Sequence, residues 1–69
     1  MVNYRDELIK ASMQYMQAQA NKHKLNIDIL LESVVGVAEH PDVMETIEKE
    51  LGKMSEYHDK YEMLDRYFK

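Results

Sequence analysis

The strongest constraint on the fold comes from eight apolar residues near the end of the chain, which recur every three or four positions. Such spacing places side chains on one face of an α-helix. The run comprises Met44, Ile47, Leu51, Met54, Tyr57, Tyr61, Leu64 and Phe68. Two steps of three meet at Met54, which predicts a one-residue slip in an otherwise heptad seam. We therefore predict a long C-terminal helix over residues 41–68.

Two shorter helices are predicted before it. Asn3 followed by Asp6 has the spacing of a capping box, so we expect the first helix over residues 4–22. The cluster NKHK at residues 21–24 suits a helix end, where its cations offset the helix dipole. Asn26 is then a second candidate N-cap, and the second helix is expected over residues 27–39.

The stretch around the only proline is interpreted as a joint between helices. Pro41 disfavours helical geometry at His40 and suits the first turn of a new helix. Gly36 leaves two possibilities, close packing inside the second helix or an early stop with residues 37–40 as a linker. The predicted fold class is all-α, with a helical hairpin and a long C-terminal helix in one domain over residues 1–69.

A chain of 69 residues without cysteine has few means of stabilising itself. It buries only about 60% of its unfolded surface, and disulfides are excluded. The longest apolar stretch, ILLESVVGVA, is far shorter than the roughly 20 residues of a membrane span. The first ten residues, MVNYRDELIK, lack the charge pattern of a signal peptide. We expect a soluble cytoplasmic protein that does not bind membranes.

The predicted helices differ in length, which favours self-association. At 1.5 Å per residue they would measure roughly 28, 20 and 42 Å, so the third would extend beyond the other two. Its apolar end would need cover from a bend at Gly52, a different protein or a second copy, and a symmetric dimer is the commonest arrangement. The predicted interface comprises Met54, Tyr57, Tyr61, Leu64, Tyr67 and Phe68.

The net charge of −4 is concentrated in the middle of the chain, where residues 26–50 hold seven acidic residues and one lysine. This distribution repels nucleic acid, so direct nucleic-acid binding is not expected. The acidic residues could instead form a partner-binding face or mimic nucleic acid. The predicted acidic face comprises Glu39, Asp42, Glu45 and Glu48.

Residues that could carry chemistry are sparse. His58, Glu62 and Asp65 share one helical face, but they lack the paired histidines or cysteines of strong zinc patterns. Ser55 lies three residues before His58, without an orienting acid or an oxyanion hole. We predict no catalytic residues, no metal and no cofactor.

One short segment resembles a known family. The segment EKELG at residues 48–52 resembles the Ser-x-Glu-Leu-Asp signature of the small aspartyl-phosphate phosphatases of sporulation regulation, which are helical hairpins. Glu48 stands in place of the serine and Gly52 in place of the aspartate, so the activity is not carried over. A small phosphatase-like or other regulatory enzyme remains the alternative to our main prediction.

The predicted function is a small non-enzymatic binding or regulatory protein that acts through protein–protein contacts. Short acidic helical chains are often accessory proteins of phages or mobile elements, so modulation of a host protein is the expected role. The expected partner is a protein, including a second copy of the chain as a homodimer.

Overall fold

The computed structural model describes residues 3–32 and 42–69, and these residues form two long helices. Helix α1 spans Tyr4–Glu32 (29 residues) and helix α2 spans Asp42–Tyr67 (26 residues). They lie side by side and antiparallel in a rod of 59 × 17 × 12 Å. The predicted all-α class is confirmed, whereas the prediction of three helices is wrong for the part of the chain that the structure describes.

The start of α1 is the predicted capping box. The amide of Asp6 donates to Asn3 Oδ1 at 3.3 Å, and Asn3 Nδ2 donates to Asp6 Oδ2 at 2.9 Å. The backbone amide of Glu7 also donates to the Asn3 carbonyl at 3.1 Å. The bond to the Asp6 amide satisfies a donor that a helix start leaves without a partner, and the Glu7 bond is the first of the regular helix, so α1 begins where the sequence predicts.

Helix α1 does not end at Lys22 but continues through residues 22–27 as one helix. The reason is an interior stripe that repeats every seven residues across the predicted break. We call this the α1 seam: Ile9, Met13, Met16, Ala20, His23, Ile27 and Leu30, all buried or half-buried. Asn26 is therefore not an N-cap. Gly36, the joint at Pro41 and residues 33–39 of the predicted second helix lie outside the described residues.

Helix α2 has a matching stripe, and it runs through Glu50 rather than Leu51. We call this the α2 seam: Val43, Ile47, Glu50, Met54, Tyr57, Tyr61 and Leu64, all half-buried. Its steps alternate between four and three throughout, so the predicted slip after Met54 is wrong. The helix also continues unbroken through Gly52.

Two contacts show how the helices are aligned. Arg5 Nη2 donates to the Phe68 carbonyl at 2.7 Å, and His23 Nδ1 lies 2.5 Å from Glu50 Oε2. The two contacts are 18 residues apart on each helix, so the alignment is constant between them. The end of α2 therefore lies beside the start of α1, and the predicted overhang is wrong. The cause is the length of α1, which at roughly 43 Å exceeds the roughly 39 Å of α2.

The hairpin has a thin core. Among the described residues, the buried hydrophobic side chains are Met13 at 7% exposure and Ile27 at 9%, and none is fully buried. A pair of helices can bury only one face of each, which is why the seams remain largely half-buried. Neither α1 nor α2 has the length of apolar sequence that a bilayer crossing requires.

Two methionines test the assignment of the seam. Met13→Ala should lower the free energy of unfolding by about 2–3 kcal/mol, because it removes a buried side chain and leaves a cavity. Met63→Ala is the matched control, since Met63 is exposed on α2, and should cost less than about 0.5 kcal/mol. Urea denaturation followed by circular dichroism measures both. Equal losses would contradict the assignment.

Gly52 provides a second test. No atom lies within 4 Å of the position where its Cβ would be. Gly52→Ala should raise the free energy of unfolding by up to about 1 kcal/mol, because alanine has the higher helix propensity. A lower thermal midpoint for this variant would show that α2 is not a regular helix at residue 52.

Candidate functional site

The interhelical seam holds a polar cluster where the last third of α1 lies beside the first third of α2. Glu50 Oε2 lies 2.5 Å from His23 Nδ1 and accepts a hydrogen bond from Asn26 Nδ2 at 3.1 Å. The side chains of His23 and Glu50 are only 12% and 22% exposed. One carboxylate of α2 is thus held by two side chains of α1.

Aromatic rings extend this cluster along the seam. The Tyr57 ring stacks on His23, with centroids 6.0 Å apart and planes 8° apart. Tyr15 meets Tyr57 edge to face at 6.2 Å, and Lys60 Nζ lies 5.3 Å from the centre of the Tyr57 ring. The His23 imidazole therefore contacts α2 twice, at its Nδ1 edge through the Glu50 carboxylate and at its face through the Tyr57 ring.

The surroundings of Glu50 favour its ionised form. The hydrogen bond from His23 is the main cause of its lowered pKa, and the bond from Asn26 adds to it. Glu56 also has a lowered pKa, because it accepts a hydrogen bond from Lys60 at 3.1 Å. The Glu50 cluster joins the two helices, whereas the Glu56 pair lies within α2.

A second apolar surface lies on α1 outside the seam. We call it the outer stripe: Tyr4, Leu8, Ala11, Tyr15, Ala18, Leu25 and Ile29. With Lys22 included, its steps alternate between four and three, as in the seam. All of its members are exposed, among them Tyr4 at 74%, Leu8 at 67%, Ile29 at 61% and Leu25 at 59%.

The outer stripe and the α1 seam point in different directions. At 3.6 residues per turn their centres are separated by roughly 140° around the helix axis. Tyr15 is the side chain of the stripe that reaches α2 through an aromatic contact, with Tyr57. Helix α1 thus carries apolar residues on two sides, and the side that holds the α1 seam packs against α2.

The residues predicted as an association interface fall into two groups. Met54, Tyr57, Tyr61 and Leu64 belong to the α2 seam and are half-buried within the hairpin. Tyr67 and Phe68 are exposed near the end of α2. An open groove of about 520 Å³ lies at this end, with Arg5, Lys10, Met13, Tyr61 and Phe68 among its lining residues. Most of the predicted interface is therefore engaged in contacts between α1 and α2.

The acidic residues are distributed unequally between the helices. Helix α1 holds four acidic and four basic residues, whereas α2 holds eight acidic and four basic residues. Of the predicted acidic face, Asp42, Glu45 and Glu48 are exposed at the start of α2, and Glu39 lies outside the described residues. Glu45 pairs with Lys49 at 3.4 Å.

The residues considered for metal or nucleophilic chemistry lie on the exposed side of α2. Glu62 pairs with His58 at 3.2 Å, and Asp65 pairs with Lys69 at 3.4 Å. Ser55 is also exposed. Within residues 3–32 and 42–69, no three histidine or acidic side chains are grouped as metal ligands would be.

Comparison of the chain with protein-family models, with curated proteins and with solved structures gave no match. Sequence reasoning missed His23, Glu50 and the outer stripe. The signal that finds all three is the seven-residue repeat, followed through polar as well as apolar residues.

Acid should weaken the hairpin through Glu50. Because its pKa is lower in the folded state, its contribution to stability is present above its ordinary value of about 4.5 and is lost as the pH falls below it. Glu50→Gln should be less stable than the parent at neutral pH and should show a flatter decline in stability as the pH falls below about 4.5. Chemical denaturation at several pH values measures this.

Glu48→Gln is the matched control, because Glu48 is exposed on α2. It should keep the parent's decline in acid. An unchanged acid decline in Glu50→Gln would show that this carboxylate does not stabilise the fold.

Proposed function

We propose that the chain is a non-enzymatic binding protein that acts through protein–protein contacts, with the outer stripe of α1 as its binding surface. The observation that carries this proposal is the exposure of a regular apolar stripe along most of a 29-residue helix. Solvent-exposed apolar patches of such length mark interaction sites in small proteins.

The shape of the outer stripe suits an α-helix as its binding partner. From Tyr4 to Ile29 it extends roughly 38 Å, a length that supports several turns of helix contact. Ala11 and Ala18 leave shallow positions between the large side chains of Leu8, Tyr15 and Leu25. A partner's side chains can enter those positions, as they do when ridges pack into grooves.

Packing against α2 stabilises the helix that carries the outer stripe. Isolated helices are marginal in water even at considerable length, because most helix stability in proteins comes from packing. The two seams and the polar cluster keep α1 helical and hold the outer stripe on one side. The net negative charge of α2 also favours solubility.

A chain of this size regulates a partner by occupying part of its surface. Its origin in a phage or mobile element, with a host protein as the target, stays an expectation from size and composition. The exposed residues Asp42, Glu45 and Glu48 form a second candidate surface, which the excess of acidic residues on α2 favours.

Affinity isolation from the source cells tests the proposal with matched variants. Leu8→Glu combined with Leu25→Glu should abolish capture of partner proteins, because it places charges on the outer stripe. Met44→Glu combined with Leu51→Glu is the control, since both side chains are exposed on α2, at 73% and 51%. This control should capture the same proteins as the parent chain.

A third variant decides which of the two candidate surfaces binds the partner. It has Asp42, Glu45 and Glu48 changed to lysine. Loss of capture in this variant alone would move the binding site to the acidic residues of α2. Circular dichroism must show parental helicity for each variant. Capture of the same proteins by all three variants would contradict binding through either surface.

A further inference from the structure

We infer that the molecule that covers the outer stripe is a second copy of this chain, with two α1 helices packed antiparallel about a twofold axis. This inference rests on the proposed function, because it names the partner for the same surface. The resulting assembly would be a four-helix dimer with the α1 helices at its centre.

The exposed area of the single chain favours such a dimer. A folded monomer of 8.2 kDa exposes about 4,500 Å². This chain exposes 5744 Å², an excess of about 1,200 Å² over that expectation. A standard protein interface buries about 800 Å² on each partner. One such contact would remove most of the excess and would supply the apolar burial that the thin core lacks.

The outer stripe is complementary to itself when one copy is reversed. The arrangement that pairs the two ends of the stripe places Tyr4 opposite Ile29 and Leu8 opposite Leu25 of the other copy. In the middle, Tyr15 then lies opposite Ala18, so a large side chain meets a small one on both sides of the twofold axis. Alternation of this kind is what close packing between helices requires.

Charge also favours contact through α1. Helix α1 is neutral, with four acidic and four basic residues, whereas α2 has a net charge of −4 from eight acidic and four basic residues. Packing two copies through α2 would bring like charges together, which is destabilising. Packing through α1 keeps the two α2 helices on the outside of the dimer.

Sedimentation equilibrium of the purified full chain tests this inference. The parent should reach about twice the 8.2 kDa mass of one chain as its concentration rises. Leu8→Glu with Leu25→Glu should weaken dimerisation on the order of a hundredfold or more, since it buries charges at the interface. The control Met44→Glu with Leu51→Glu should dimerise like the parent. A monomeric parent at every concentration, or a dimer unaffected by the Leu8 and Leu25 changes, would overturn the inference.

Cross-linking tests the orientation, because the chain has no cysteine of its own. In the antiparallel pair the two Ala18 positions lie close to the twofold axis, whereas the two Tyr4 positions lie at opposite ends of the helix pair, roughly 38 Å apart along the helix direction. A short bis-maleimide should therefore link Ala18→Cys into dimers and leave Tyr4→Cys as monomers. Efficient linkage of Tyr4→Cys would indicate parallel helices and overturn the proposed arrangement.

The outcomes also separate this inference from the proposed function. A chain that stays monomeric, yet loses its cellular partners on the Leu8 and Leu25 changes, contradicts the second copy and supports binding of a different protein. A dimer that dissociates on those changes supports both.

Discussion

The hydrogen-bonded contact between His23 and Glu50 is the interaction on which the hairpin's alignment depends. Both side chains occupy seam positions where an apolar residue would normally lie, and Asn26 adds a second bond to Glu50. A shift of α2 by one heptad would place Glu50 opposite Met16 or Leu30 and leave a carboxylate without partners. Since a half-buried carboxylate is less favourable beside apolar side chains than beside hydrogen-bond donors, the contact favours one alignment among those that the apolar repeat alone would allow.

That alignment determines what α1 presents to solvent. With α2 held against the α1 seam, the outer stripe stays exposed to solvent, and its Tyr15 also contacts Tyr57 of α2. Met13 and Ile27 are the buried hydrophobic residues among those described, so the intramolecular core is small. The same sequence therefore produces both a hairpin with a small hydrophobic core and an exposed apolar surface on α1. Association through that surface would add stability as well as specificity, because any partner that binds the folded form shifts the folding equilibrium.

The features of the fold that were predicted correctly are those that depend on local sequence signals. The all-α class, the capping box at Asn3 and most of the extent of α2 follow from spacing and capping. The errors arose where polar residues occupy the seam. Reading only apolar positions makes His23 look like a helix end and moves the second seam from Glu50 to Leu51.

The overhang was a consequence of that first error, since a broken α1 leaves α2 too long for its neighbours. Nuclear Overhauser measurements on isotope-labelled protein test the continuous seam most directly. The continuous seam predicts sequential amide contacts from Lys22 to Ile27 together with contacts between the His23 and Tyr57 rings. A gap in the amide contacts over those residues, or rings that do not meet, would contradict it.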